Sequence, residues 1–326
     1  MRIGAICGAT VLLALPCVTS ATSQTRPVFS QDSFWYKPVP RQVPLNPNSA
    51  NYVREFLRQF HAYYGTVGIN TAAYSSPVYP VGPTAPTRPV TQWDCHGNGY
   101  IDRDLTRQWA AVPVPSYAQP ADGTDAEMTI YQPSTDRMWE FWQARQVGGN
   151  WQACWGGSMQ NVSRNAGIWA ARYGVAATGL PFAPGQITVA DLRGGAIRHV
   201  IGIALVDAQQ GAFSWPANRS DGYNPDNAPN RIPEGLRFRL DPAVNVDALP
   251  IHPVAKIVAK AAQTYGFVVW DKAGAISLRF ENPKDFTLVG KGDPYPDLWD
   301  GTPAYKILAG IPWDRLQFLP ENYGKP

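Results

Sequence analysis

The residues Gly123–Gly157, GTDAEMTIYQPSTDRMWEFWQARQVGGNWQACWGG, decide how the rest of the chain is read. Ala126, Met128 and Ile130 alternate with Asp125, Glu127, Thr129 and Tyr131. That is the period-two pattern of a strand with two unlike faces. Gln132–Asp136 is turn chemistry. Met138–Gln143 reads as a second strand, with Trp139 and Phe141 on one face and Met138, Glu140 and Trp142 on the other. Gly148-Gly149-Asn150 turns the chain again. Trp151–Trp155 is expected to be a third strand, ended by Gly156-Gly157. The expectation is an antiparallel meander in which carboxylates and tryptophans share a surface.

Working outward, 31 prolines and 29 glycines in 326 residues favour many short strands and turns. The predicted fold class is mainly β, an antiparallel sandwich or jelly roll with two short peripheral helices. One helix is expected over about Ala50–Tyr63, capped by Asn48-Ser49, with Tyr52, Val53, Phe56, Leu57 and Phe60 on its apolar face and Gly65 as its stop. The other runs Val254–Thr264 behind Pro253. Between them, Thr188 caps a single turn at Val189–Arg193. Ile197–Val206 reads as a strong strand, and the small residues Gly202 and Ala204 on one face imply a close neighbour. Gly235–Leu240 is a strand. Phe267–Trp270 and Ala275–Phe280 are expected to form a hairpin around Asp271-Lys272-Ala273-Gly274. No internal repeat is visible.

Residues 1–23 have the layout of a secretory signal peptide: Arg2, the apolar run Ile3–Pro16, and small residues Val18–Ala21 for cleavage. A lipid-attachment reading of Cys17 fits poorly, because Leu15-Pro16 precedes it. Residues 24–326 are read as one secreted domain with extended terminal segments packed on it. Cys7 and Cys17 fall in the leader, which leaves Cys95 and Cys154 as one expected disulfide in an oxidising compartment. The net charge of +3 shows no basic stripe, so no nucleic-acid partner is suggested, and no further segment is long and apolar enough for a membrane span.

Asp94–Leu105, DCHGNGYIDRDL, resembles a calcium loop, with Asp94, Asn98 and Asp102 among the residues an ion would use. Position three is His96, and position twelve is Leu105 where a bidentate Glu belongs. A Gly/Asn turn pinned by Cys95 is therefore expected rather than a cofactor site.

Phosphate-binding glycine loops, HExxH, GxSxG and Cys/His zinc clusters are all missing from the sequence. What remains is a set of carboxylates and aromatics. On a regular strand, Asp125 and Glu127 point the same way, roughly 6–7 Å apart, and Glu140 on the adjacent strand can share their face. Such carboxyl pairs are what glycoside hydrolysis requires. Trp142, Trp151, Trp155 and Trp215 offer stacking platforms for sugars. The 216–231 loop, with Asn218, Arg219 and Asp221, offers a binding rim. His199 is the lone candidate for a general acid or base, and a structural histidine at a strand mouth is an equally good reading. A lyase would use His199 or Tyr265 as base. Packing accounts for each residue singly: tryptophans in a core, carboxylates solvated or paired with arginine.

The runs SFW-x-x-PVP (33–40), GTDAEMTIYQPST, WEFWQAR, WQACWGG, ATGLPF, IRHVIGIALVD, FSWPANRSDGYN, IPEGLRFRLDP and AAQTYGFVVWD resemble a family of secreted bacterial proteins that has no firmly established activity. The resemblance covers nearly all of the chain after the leader. It implies secretion and a β-rich single domain of a kind found among carbohydrate-active proteins. It points to Glu140, His199 and the WPANRSDG loop, without assigning their roles. The resulting expectation is a monomer acting on a polysaccharide or cell-wall glycan, most concretely a glycoside hydrolase using Glu140 with Asp125 or Glu127, assisted by His199. A polysaccharide lyase and a non-catalytic glycan-binding protein are the other readings.

Overall fold

A computed structural model describes residues 1, 27–170, 172–223 and 228–326. The leader, with Cys7 and Cys17, therefore lies outside the described residues apart from Met1, as do Asn224 and Asp226 of the polar loop. The described chain is mostly strands in several sheets, with a few short helices and no barrel.

The meander is present, with a different ending. Met128–Gln132 pairs antiparallel with Arg137–Trp142, which pairs antiparallel with Trp155–Gln160. Val78–Pro80 joins this sheet in parallel on the far side of Met128–Gln132. The predicted third strand divides at Cys154. Asn150–Ala153 leaves for a small sheet with Arg145–Val147 and Val90–Gln92. Trp155–Gln160 stays, so Gly156 and Gly157 lie inside a strand and do not end one. Gly156 takes a φ of +149°, and a Cβ there would strike the carbonyl oxygen of Glu140. Only glycine allows that approach. The disulfide Cys95–Cys154 ties the 93–100 loop to this branch point.

The largest sheet has six strands, in the order Gly68–Asn70, Ser277–Arg279, Ile201–Leu205, Phe267–Lys272, Arg237–Leu240 and Leu316–Phe318. It mixes parallel and antiparallel pairs, where the sequence predicted antiparallel pairing throughout. The expected hairpin at 271–274 does not form. Ile201–Leu205 lies between its two strands, parallel to one and antiparallel to the other. Turn chemistry fixes a change of direction but not the neighbour, and a strand as apolar as Ile201–Leu205 belongs in the middle of a sheet.

One face of this sheet carries the main core. The helices Ser49–Ala62 and Pro253–Thr264 cover Ile201, Ile203, Phe267 and Val269 there. The other face carries Val200, Val268 and Trp270, packed against Phe34, Trp35, Leu180 and Phe182. Gly202 belongs to this second face, where a Cβ would run into the Trp270 ring. The close neighbour implied by the small residues is Trp270. A third cluster, with Trp109, Trp139, Phe141 and Trp151, fills the meander.

Candidate active-site cleft

Regular alternation stops just before the meander. Ala126 has a φ of +40°, so Asp125 and Glu127 precede the strand Met128–Gln132. Their backbone is still held, because Gln143 and Ala144 donate to the carbonyls of Asp125 and Ala126 at 2.7 and 3.1 Å. A second irregularity faces them. Val269 pairs with Ile203 and Asp271 with Ala204, which leaves Trp270 as an extra residue in a β-bulge. Strict alternation would send Asp271 to the helix-covered face with Val269. The bulge keeps it beside Trp270, and bulges commonly re-aim side chains in this way.

Between these two irregularities lies a cleft of about 440 Å³, within the range of small-ligand sites. Asp125, Glu127, Trp142 and Trp155 contribute one wall. Arg219, Ser220 and Asp221 of the polar loop, with Asp271 and Lys272, contribute the other. His96, Phe182 and the 174–177 segment complete the lining.

The floor is an ion-pair junction. The Arg279 guanidinium is 4% exposed and binds Glu127 Oε1 through Nη1 and Asp271 Oδ2, at 2.9 Å, through Nη2. It lies over the Phe182 ring at 3.8 Å. Burial holds the Glu127 carboxyl above the usual carboxylate range, against the pull of Arg279, and the neighbouring Asp125 charge adds to the rise. Burial pushes Asp271 up to about 7. Glu234, in the strand Ile232–Glu234 behind Asp221, is fully buried and is pushed up to about 8 by burial.

Trp142 and Trp155 are half-buried in the cleft wall. Trp155 stacks on Tyr173, with ring centroids 6.5 Å apart, and donates through Nε1 to the carbonyl of Arg172. Trp142 faces His96, whose loop the disulfide anchors. Arg219 donates to the carbonyls of Tyr173, Gly174 and Ala176, fixing the loop as a wall.

The remaining predicted residues are placed elsewhere. Glu140 is fully buried and does not line the cleft. It accepts from Trp169 Nε1 at 3.0 Å and from the Phe182 and Ala183 amides at 2.8 and 3.5 Å, and burial raises it to about 7. It therefore holds Phe182, the residue under Arg279, from behind. His199 lies ahead of its strand, fully buried, with Nδ1 2.8 Å from the Val200 carbonyl and Nε2 3.4 Å from Asp191. Trp151 is in the meander core at 1% exposure, too enclosed for stacking. Trp215 packs edge-on against Phe34. Asn218 donates to the Trp169 carbonyl at 2.8 Å and does not line the cleft. Tyr265 ends the Pro253–Thr264 helix, where its carbonyl accepts from Arg237.

The loop at 94–105 also has other employment. Asp94 accepts from the Asn98 and Gly99 amides, closing an Asx-type turn. Asp102 caps the helix Arg103–Gln108 and pairs with Arg172 at 2.6 Å.

Asp271, Lys272, Glu234 and Arg279 escaped the sequence reading. Asp271-Lys272 was hidden by its likeness to a hairpin turn, and nothing in the local pattern announced the bulge. A second cavity, of about 710 Å³, lies apart from the cleft, between Val189–Arg193 and the Asp285–Lys291 segment. None of the predicted site residues lines it. Among the described residues no helix is long and apolar enough to cross a membrane. No protein-family model, curated protein or solved structure matches the chain.

Proposed function

We propose that the protein is a secreted glycan-active enzyme, and that the cleft binds a polysaccharide chain and hydrolyses a glycosidic bond. The observation that supports this is the meeting of two indoles, Trp142 and Trp155, with the carboxyls Asp125 and Glu127 along one open cleft. Indole faces suit the apolar faces of sugar rings. Glycoside hydrolysis needs one carboxyl that gives a proton and another that acts as base or nucleophile.

Different environments assign the roles. Burial holds Glu127 above the usual carboxylate range even beside Arg279, and it is assigned the acid role. Asp125, half-buried at the cleft edge, serves as the base or nucleophile. Arg279 holds Glu127 in place, and Glu140 acts from behind as a positioning residue through Phe182. A lyase using His199 gains no support, since that ring is enclosed away from the cleft.

The test is a screen of purified protein against a panel of polysaccharides, reading new reducing ends and absorbance at 235 nm. Reducing ends without absorbance support hydrolysis. Absorbance accompanying them would replace hydrolysis by elimination. Retention on an insoluble glycan with neither signal would leave binding alone.

A further inference from the structure

In and behind the cleft wall opposite the tryptophans lies a second group of carboxylates that the hydrolytic reading does not use. Asp221, Glu234 and Asp271 come from three separate segments: the polar loop, the strand Ile232–Glu234 and the bulge in Phe267–Lys272. Each places a carboxylate oxygen within 4.8 Å of an oxygen of the other two. Such convergence costs electrostatic energy unless something positive sits among the three.

The available protein cations compensate only in part: Arg219 acts on Asp271 and Glu234 by charge but makes no salt bridge to either among the described residues, and it donates to backbone carbonyls. Arg279 reaches Asp271 Oδ2 at 2.9 Å, but it also serves Glu127. Lys272 Nζ is 3.8 Å from Asp221 Oδ2, a loose contact by a side chain that is 34% exposed. Glu234 is 0% exposed, and no salt bridge to it is present among the described residues. Its Oε2 accepts the Asp221 amide at 3.1 Å. By hydrogen-bond geometry its Oε1 has no donor among the described residues, and the nearby Ser220 hydroxyl offsets the burial of the carboxyl only in part. A buried carboxylate oxygen without a donor is rare and costly in native proteins. Here it belongs to the member of the cluster most shielded from water.

We infer that Asp221, Glu234 and Asp271 bind a calcium ion in the wall of the cleft. The donor set is all oxygen, which selects hard cations over zinc or copper. Calcium bonds of about 2.3–2.6 Å put opposite ligands about 4.6–5.2 Å apart. Oxygens already within 4.8 Å of one another are therefore bridged with little movement. Magnesium needs shorter bonds of about 2.0–2.1 Å in near-octahedral array, and the spacing suits it less well. Asp271 keeps its Arg279 contact, because a carboxylate oxygen has more than one acceptor direction. The ion clamps the polar loop to the sheet and so fixes the Arg219–Asp221 wall. No ligand-spacing motif appears in the sequence because the three residues lie on distant segments. The site is distinct from the 94–105 loop and does not depend on the glycan reading.

The experiment is isothermal titration of chelator-treated full-length protein with calcium chloride, paired with thermal unfolding with and without calcium. One ion per chain and a higher melting temperature in calcium are expected. Asp221→Asn neutralises an exposed carboxylate without changing its shape, so the fold survives, and it should weaken calcium binding by roughly tenfold or more. Glu234→Gln should do the same if it folds. Asp94→Asn should leave binding unchanged. The inference is overturned if the wild type takes up no calcium at millimolar concentration. That result would mean that a proton satisfies Glu234. It is also overturned if binding survives Asp221→Asn intact, or if magnesium binds as tightly as calcium.

Discussion

Arg279 and Asp271 form an ion pair of 2.9 Å in the floor of the cleft, joining a strand of the central sheet to the bulge of its neighbour but one. The same guanidinium holds Glu127 on the opposite wall. One side chain thus sets the spacing between the two carboxylate-bearing walls. Arg279→Ala leaves two enclosed carboxylates without their cation and should cost about 3–5 kcal/mol. Arg279→Lys cannot serve both partners through a planar fork and should recover only part of that. Urea unfolding of the two variants checks this; an Ala variant as stable as wild type would remove Arg279 from the account.

Glu140 predicts a pH dependence. Burial raises its folded-state value to about 7 from the ordinary 4.5. The folded protein therefore holds this proton more tightly than the unfolded chain. The resulting stabilisation is complete below about pH 4.5 and is lost as pH rises through about 7, a difference of about 3 kcal/mol. Glu140→Gln lacks the titration and also loses an acceptor for Trp169 Nε1. It should be less stable at low pH and should show a flatter profile between about pH 4.5 and 8. Urea midpoints across that range decide the point: parallel profiles for the two proteins would contradict it.

The tryptophans should separate into two classes. Trp151→Ala empties a core site and should cost about 3–5 kcal/mol. Trp155→Ala, at the cleft wall, loses the Tyr173 stack and the Arg172 contact and should cost clearly less than Trp151→Ala while weakening glycan retention, since sugar rings meet the exposed part of the indole face. Affinity electrophoresis and thermal melts of the two variants measure both effects. Equal losses of stability would mean that both rings are core.

Gly202→Ala drives a methyl group into the Trp270 ring, in a face already filled by Phe182 and Trp35. A loss of about 1–3 kcal/mol is expected, because overpacked cores force side chains off their rotamers. A variant with the wild-type melting temperature would show that Trp270 moves freely, which the packing argues against.

Much of this was legible in the chain, and the failures have physical reasons. The two long helices and the first two meander strands follow from periodicity and the Thr188 turn from its cap, all local signals; Asn48, expected to cap the first helix, makes no side-chain cap bond. The Cys95–Cys154 pairing follows from count alone. The hairpin at 271–274 failed because strand order is set by burial across the sheet. Glu140 was taken for a cleft residue because alternation gives its strand face but not what covers that face; Trp169 and the Phe182–Ala183 backbone cover it. Asp125 and Glu127 stand together in the sequence, but the left-handed backbone at Ala126 takes them off the regular strand that alternation predicts. Asp271 and Glu234 do not stand together there, and only the bulge and the tertiary fold bring them to the same wall.

In the proposed function Asp125 and Glu127 hydrolyse a glycan bound on Trp142 and Trp155. The most direct measurement is reducing-end release by wild type and Asp125→Asn on the polysaccharide that the panel identifies, with circular dichroism confirming equal folding. Turnover is expected of the wild type and a loss of at least about 100-fold of the variant, with glycan retention largely kept. Full activity in Asp125→Asn would contradict it, as would a wild-type protein that releases no reducing ends from any glycan it binds.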